Sequence, residues 1–393
     1  MVKLDDLLVS TVECDGSDLH IKVGSPPLVR IRGDLVPLNA PVLTEDDARE
    51  LSFAALDKPQ IARFEEEREL DFAYAIDGLA RFRGNLFLQR GVTQSVFRVV
   101  PLTIRTMEEL HLPPVCKFYA ERPRGLVLVT GPAGSGKSTT QAAMIDYINK
   151  SFPLHIVTIE DPIEFIHPSA RALINQRELD RDTRSFSNAL RAVLRQDPDV
   201  ILVGEMRDLE TIALAVTAAE TGHLVFGTLH TTDAVQTIDR IIDVFPQHQQ
   251  QQIRMQLSVN LVGVVSQTLV KTVDGSQRVA AFETLVGISS VRSLIREAKT
   301  HQISSLIQTG MKQGMITMDQ SLASLVNANV VSYEAAAEKA QNLAEFKILC
   351  SGKQNDLGDL PDPDAPSPSQ SASEPSRPPT GPLSSRLPFG FKR

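Results

Sequence analysis

Residues 131–139 read GPAGSGKST, and no other segment restricts the fold of this chain as strongly. The spacing fits G-x-x-x-x-G-K-[ST], directly after the apolar run GLVLVT and directly before a helical pattern. A strand, a glycine-rich loop and a helix in that order make a phosphate cradle. The glycines let backbone N–H groups turn inward, and the helix N-terminus adds positive partial charge. The candidate phosphate-binding residues are Gly131, Pro132, Ala133, Gly134, Ser135, Gly136, Lys137, Ser138 and Thr139. Lys137 is expected to reach the β- and γ-phosphates of ATP, and the Ser138 hydroxyl to take one Mg²⁺ position.

The surrounding pattern agrees with that loop. GLVLVT, HIVTIE, DVILVGE and HLVFGTL are short continuous apolar runs, as in strands buried on both faces. Helical segments such as SFSNALRAVLRQ and DLETIALAVTAAE alternate with them, which predicts an α/β parallel sheet over residues 125–288. Residues 1–100 read as a separate α+β unit. SDLHIKV and LVRIRG pair around GSPP, and Thr44 with Asp47 starts a helix whose Ala48, Leu51 and Ala55 face a sheet. DFAYAI, ARFRGNLFLQ and QSVFRVV follow as three strands, broken at Gly78 and Gly91. Residues 101–124 form a connector, with a short helix expected in PLTIRTMEELHLPP. Residues 289–350 read as helical, in SSVRSLIREA, HQISSLIQTG, TMDQSLASLV and SYEAAAEKAQNL.

The rest, residues 351–393, holds nine of the chain's 24 prolines, so the excess of proline belongs to a tail. With so little apolar area that tail is expected to be disordered, and its last residues LPFGFKR form either a solvated end or a short docking motif.

Nucleotide hydrolysis also needs carboxylates beside the phosphates. HIVTIEDPIEF puts Glu160, Asp161 and Glu164 at the C-terminal end of a strand, where α/β sheets bind ligands. DVILVGE puts Glu205 in the same geometry, with Gly204 leaving room for a carboxylate longer than the usual aspartate. His223 and His230 bracket HLVFGTLHT and point to opposite faces, which argues against a shared metal. His230, on the phosphate side, is read as a γ-phosphate sensor or a plain strand cap, and His223 as structural. Arg81, Arg83 and Arg98 lie outside the loop domain and gain a role only if a closing surface brings them an anion. A basic run from Arg171 to Arg195 has no assignable partner from sequence.

Length and composition narrow the class. A chain of 393 residues suggests two or three domains. No apolar run is long enough to span a bilayer, and three dispersed cysteines fit a reducing cytoplasm better than a zinc module. A formal charge of −8 and the lack of a basic, aromatic-bearing groove argue against a nucleic-acid translocase.

Taken together these motifs resemble the secretion and pilus motor ATPases, and within them the PilT-like retraction ATPases of type IV pili. GPAGSGKSTT is similar to the family Walker A, TIEDPIEF to its Asp box and LRQDPDVILVGEMRDLETI to its Walker B region. TAAETGHLVFGTLHT is similar to the His box, SVRSLIRE to the C-terminal AIRNLIRE element and GSDLHIKVGSPPLVRIRG to the PAS-like N-terminal domain. The resemblance covers residues 4–344. It implies a PAS-like α+β domain, a RecA-like P-loop core and a helical C-terminal region. Glu164 would be the general base, Glu205 the Walker B glutamate near Mg²⁺ and His230 the sensor. Arg81, Arg83 and Arg98 would reach nucleotide across a closing interface.

The implied assembly is a homo-hexamer at the cytoplasmic face of the pilus inner-membrane platform, with a paralogous pilus ATPase as a further partner and no nucleic acid. Three departures stand out, one being that SVRSLIRE has SVR in place of AIR while keeping Arg292, Leu294, Ile295, Arg296 and Glu297. RFRGNLFLQRG is one residue shorter than the usual RFRVNAFNQNRG, and its FLQR leans towards the accessory PilU-like relatives. Assembly and secretion relatives usually carry a longer N-terminal region and a four-cysteine module, which favours retraction here.

Overall fold

The computed structural model describes residues 2–31, 33–100 and 103–350. The expected tail lies outside them. The fold is mixed α/β with two sheets. The first is antiparallel, in the order β3-β2-β1-β6-β5-β4. Its strands are β1 (Asp18–Ile21), β2 (Leu28–Ile31), β3 (Asp34–Pro37), β4 (Glu69–Ile76), β5 (Ala80–Gln89) and β6 (Val92–Val100). Helices α1 (Leu4–Glu13), α2 (Glu45–Phe53) and α3 (Lys58–Glu67) supply Leu7, Leu8, Leu51 and Phe64 to the core over Leu19, Ile21, Phe82, Leu86 and Phe97. The Thr44–Asp47 capping box starts α2 as expected, burying Ala48 and Leu51.

Period-two alternation along β5 decides which side chains leave this unit. Ala80, Phe82, Gly84 and Leu86 are buried, so Arg81 and Arg83 occupy the opposite face. Gly84, where the family pattern has valine, lies under the Phe72 ring: a Cβ there would meet ring carbons 2.2 Å away. The shortened segment also has a physical reason. Gln89 pairs with Val92 across a two-residue turn whose Arg90 and Gly91 both have positive φ, the twist that a tight hairpin requires.

The second sheet runs β13-β12-β7-β11-β10-β8-β9, parallel except for the antiparallel β12–β13 pair. The apolar runs become β7 (Gly125–Thr130), β8 (His155–Glu160), β10 (Val200–Val203) and β11 (Leu224–Leu229). Every residue of β7, β10 and β11 is buried. Three strands complete the sheet: β9 (Leu173–Glu178), β12 (Leu261–Lys271) and β13 (Arg278–Val286). Helices α5 (Lys137–Ser151), α6 (Phe186–Val193), α7 (Leu209–Glu220), α8 (Ala234–Asp243) and α9 (Gln247–Asn260) pack on it, after a short α4 (Val115–Ala120).

The connector differs from expectation. Thr106 and Glu109 cap one another around a single turn, and the helix itself begins only at Val115. The C-terminal helices are α10 (Ser289–Arg296), α11 (Ile303–Thr309), α12 (Met318–Asn327), α13 (Tyr333–Ala337) and α14 (Leu343–Leu349). Val291, Ile295, Ile303 and Ile307 join the main core, whereas α12 to α14 gather Met318, Leu322 and Phe346 around Val270 and Ala281 at the far end of the β12–β13 hairpin.

Restoring the family valine should therefore cost stability. Gly84→Val is expected to lower the unfolding free energy by about 1–3 kcal/mol through overpacking against Phe72, measured by urea denaturation. An unchanged midpoint would show that the ring yields.

Candidate nucleotide site

β7 delivers the chain into the phosphate loop and α5 takes it away at Lys137, as the sequence predicts. Gly131 sits at φ +142, and a Cβ there would come within 2.2 Å of the Gln267 carbonyl oxygen. Only glycine satisfies both demands. Pro132, Ala133 and Gly134 form the exposed rim, Ser135 is buried, and Gly136 at φ +89 caps α5 so that Ser138 and Thr139 occupy its first turn. Lys137 Nζ donates to the Gly131 and Pro132 carbonyls at 2.9 and 3.0 Å. Burial pushes the Lys137 ammonium down, while the charges of Glu205 and Glu164 pull it back up. Both carboxylates therefore share the lysine's neighbourhood.

The loop is propped from behind by residues that the sequence reading did not single out. Gln267 of β12 donates through Nε2 to the Ser135 carbonyl at 2.6 Å. Ser266 and Thr130 share a hydrogen bond at 2.8 Å, Thr231 and Thr237 share another at 2.7 Å, and Thr237 Oγ1 lies 3.5 Å from Thr130 Oγ1. The available signal was the polar run Ser266, Gln267 and Thr268 inside a mostly apolar strand.

Parallel pairing of β10 with β11 sets the ends of those strands side by side, so His230 Nε2 lies 3.1 Å from Glu205 Oε1. Arg207 donates to the other carboxylate oxygen at 2.7 Å. Burial raises the Glu205 carboxyl, but Arg207 and His230 together outweigh it and the net shift is downward. Arg207, two residues past the glutamate in GEMRD, was also missed. His223, at the opposite end of β11, bonds locally to the Ala218 carbonyl at 2.9 Å.

On β8, the Glu160 carboxylate accepts from Thr158 Oγ1 at 2.7 Å, from Gln176 Nε2 at 3.1 Å and from the Glu164 backbone N–H. Its pKa is raised, chiefly by burial. Glu160 thus faces the protein interior and tethers the loop that carries Glu164. Asp161 is exposed and also raised by burial, an effect that Arg207 and Arg83 oppose. The three arginines end in different places. Arg81 forms a buried ion pair with Glu178, Arg83 lies near Asp161, and Arg98 pairs with the buried Asp18 at 2.8 Å inside the N-terminal sheet. In the basic run, Arg171 donates to the Ser151 carbonyl, Arg177 to the Asp182 carbonyl, and Arg191 pairs with Glu210.

Residues 67–350 match the family described as type II/IV secretion system protein. The type IV pilus retraction ATPase PilT of Pseudomonas aeruginosa is 52% identical over 338 residues, 86% of this chain and 98% of that protein. This chain is a PilT-like member of the type II/IV secretion system protein family. The type IV pilus ATPase PilU of the same organism is 40% identical, over 91% of this chain and 94% of its own length. A crystal structure of the pilus retraction motor PilT with bound ADP superposes with a TM-score of 0.83 at 45% identity, spanning 88% of this chain and 99% of that one. Among the described residues no helix is long and apolar enough to cross a membrane.

In this PilT-like chain the loop after His230 is held by a further buried carboxylate. Glu283 of β13 accepts the Ala234 N–H at 2.8 Å and also the backbone N–H of Met318, so it joins the start of α8 to the start of α12. Burial pushes its carboxyl up to about 7; the two backbone donors oppose the shift, and the charges of Asp233 and Asp319 add to it. The folded chain thus keeps this proton to about pH 7, whereas an unfolded glutamate releases it near 4.5. The stabilisation is whole below the unfolded value and is lost as pH rises through the folded one. Relative to Glu283→Gln, the wild type is expected to lose on the order of 3 kcal/mol between about pH 4.5 and 7.5. Urea midpoints of the two proteins across that range should diverge; parallel curves would exclude a titrating Glu283.

Proposed function

We propose that this chain is an ATP-hydrolysing motor that powers type IV pilus retraction. The observation that carries the reading is the glycine loop between β7 and α5 with the Glu205–His230 pair on the neighbouring strand ends, in a chain that spans almost the whole of a retraction ATPase at 52% identity. In this reading residues 1–100 are a PAS-like domain, 101–124 a linker, 125–288 a RecA-like core and 289–350 a helical region. The working form is a homo-hexamer, peripheral to the cytoplasmic face of the inner membrane and docked on the pilus platform protein.

The chemistry follows from the side chains. The inward N–H groups of residues 131–136 hold the phosphates, and Lys137 compensates charge that builds up on the β- and γ-oxygens. The Ser138 hydroxyl and the Glu205 carboxylate are hard oxygen donors of the kind Mg²⁺ prefers, and they would hold it directly or through water. When bound, that ion would neutralise charge between the β- and γ-phosphates. Glu164 takes a proton from the attacking water as its oxygen bonds to the γ-phosphorus, and the bond to the β-bridging oxygen breaks to leave ADP and phosphate. His230, hydrogen-bonded to Glu205, reports whether the γ-phosphate is present. Arg83, on the outer face of the N-terminal sheet, supplies positive charge as that unit closes.

An accessory PilU-like role is the second reading, favoured by the FLQR segment. Identity of 52% to PilT against 40% to PilU weighs against it.

Two measurements test the proposal. Lys137→Ala and Glu164→Gln should each lower ATP turnover roughly a hundredfold or more, with Glu164→Gln still binding nucleotide. Wild-type turnover in either variant would remove the assigned residue. Cells lacking the gene should be hyperpiliated and unable to twitch; bald cells would indicate assembly instead.

A further inference from the structure

At the end of β9, residues 178–183 fold into a small knuckle between the N-terminal sheet and the loop bearing Glu164. Asp182 Oδ2 accepts the Glu178 N–H at 2.8 Å, and the Asp182 N–H returns to the Glu178 carbonyl at 2.8 Å, which closes the knuckle on itself. On one side it receives the N-terminal unit. Arg63 of α3 pairs with Asp180 at 3.3 Å, and Arg81 of β5 forms its ion pair with Glu178. On the other side it grips the catalytic loop. Glu178 Oε2 accepts the Ile163 N–H at 3.1 Å, and the Leu179 N–H donates to the Glu160 carbonyl at 2.9 Å.

The same carboxylate oxygen thus binds a guanidinium from one sheet and the peptide N–H next to Glu164 in the other. Arg81 and Glu178 are 11% and 9% exposed, so neither charge is well hydrated without its partner. A buried carboxylate that loses its cation turns towards water rather than stay uncompensated. Glu178 would then release Ile163. Glu164 itself would keep the tether from its own N–H to Glu160.

We infer that Arg81 is a positioning residue for Glu164, acting within one chain through Glu178 and the Ile163 N–H. The inference rests on the reading of Glu164 as the general base. It gives Arg81 a different task from Arg83, which lies two residues along the same face, near Asp161. Movement of the N-terminal unit would then be felt at the base through this shielded ion pair. Withdrawal of Arg81 loosens the loop and idles the site, and its return resets it.

The test is steady-state ATP hydrolysis by the full-length chain, alongside ADP affinity from titration of a fluorescent ADP analogue. Arg81→Gln and Glu178→Gln should each lower kcat on the order of 10–100-fold, because a base displaced by about 1 Å costs about that much. KM for ATP and affinity for the analogue should stay within about twofold, since neither side chain touches nucleotide in this scheme. The double variant should be no slower than the worse single one, as expected for two members of one relay. Arg81→Lys should recover part of kcat, and it decides the matter if the glutamine variants prove unstable on thermal unfolding.

A tenfold rise in KM for ATP or a tenfold weaker analogue affinity in Arg81→Gln would overturn the relay and make Arg81 a phosphate contact, and fully additive losses in the double variant would overturn it as well. Glu164→Gln measured in parallel separates the two levels of the claim. Wild-type turnover there removes the base itself, whereas a dead Glu164→Gln beside an active Arg81→Gln removes only the relay.

Discussion

The nucleotide side depends on one constraint, the in-register parallel pairing of β7, β11, β10 and β8. Thr130 stands opposite Leu229, and Val203 stands opposite both Gly227 and Ile159. Four strands therefore end along a single edge, about 4.8 Å apart, and each hands its next residues to the same crevice. The phosphate loop, His230, Glu205 and the Glu164 loop follow in that lateral order. The 3.1 Å approach of His230 to Glu205 is a consequence of neighbouring strand ends. A shift in register of one residue in β10 would move every side chain of this doubly buried strand to the opposite face and carry the glutamate away from its partners.

The antiparallel unit meets this edge through the outer face of β5. Helices α1 to α3 cover one face of its sheet, and alternation sends Arg81 and Arg83 to the other. The Arg81 contact carries chemical information because both partners are largely withdrawn from water. An exposed pair such as Arg63–Asp180 contributes little by itself. A shielded one holds its geometry until something supplies a better partner.

Much of this was legible in the sequence because the signals were local. GPAGSGKST fixes its own backbone through glycines, and the all-apolar runs leave few alternatives to buried parallel strands. The same reasoning failed where structure comes from tertiary context. LINQRE has two apolar residues followed by four polar ones and is largely exposed or half-buried because β9 lies on the sheet edge, so it carries no strand signal of its own. The functions of Gln267, Arg207 and Glu178 follow from what stands opposite them after folding, and no spacing rule encodes that. Arg81 shows the limit most clearly. Its alternation placed it on the outer face, but only the position of Glu178 determines what it meets there.

The β12–β13 hairpin carries a mechanical consequence. Within eleven residues β12 places Val264 and Val265 in the main core, Gln267 beneath the phosphate loop and Val270 among the C-terminal helices. A strand of that length is a beam of roughly 35 Å, stiffened from Gly263 to Lys271 by β13. Tilting such a beam by about 5° about one end carries the other through roughly 3 Å. A displacement of Gln267 about the Leu261 end would thus be carried on to the far end, magnified less than about twofold, where Val270 packs among the C-terminal helices.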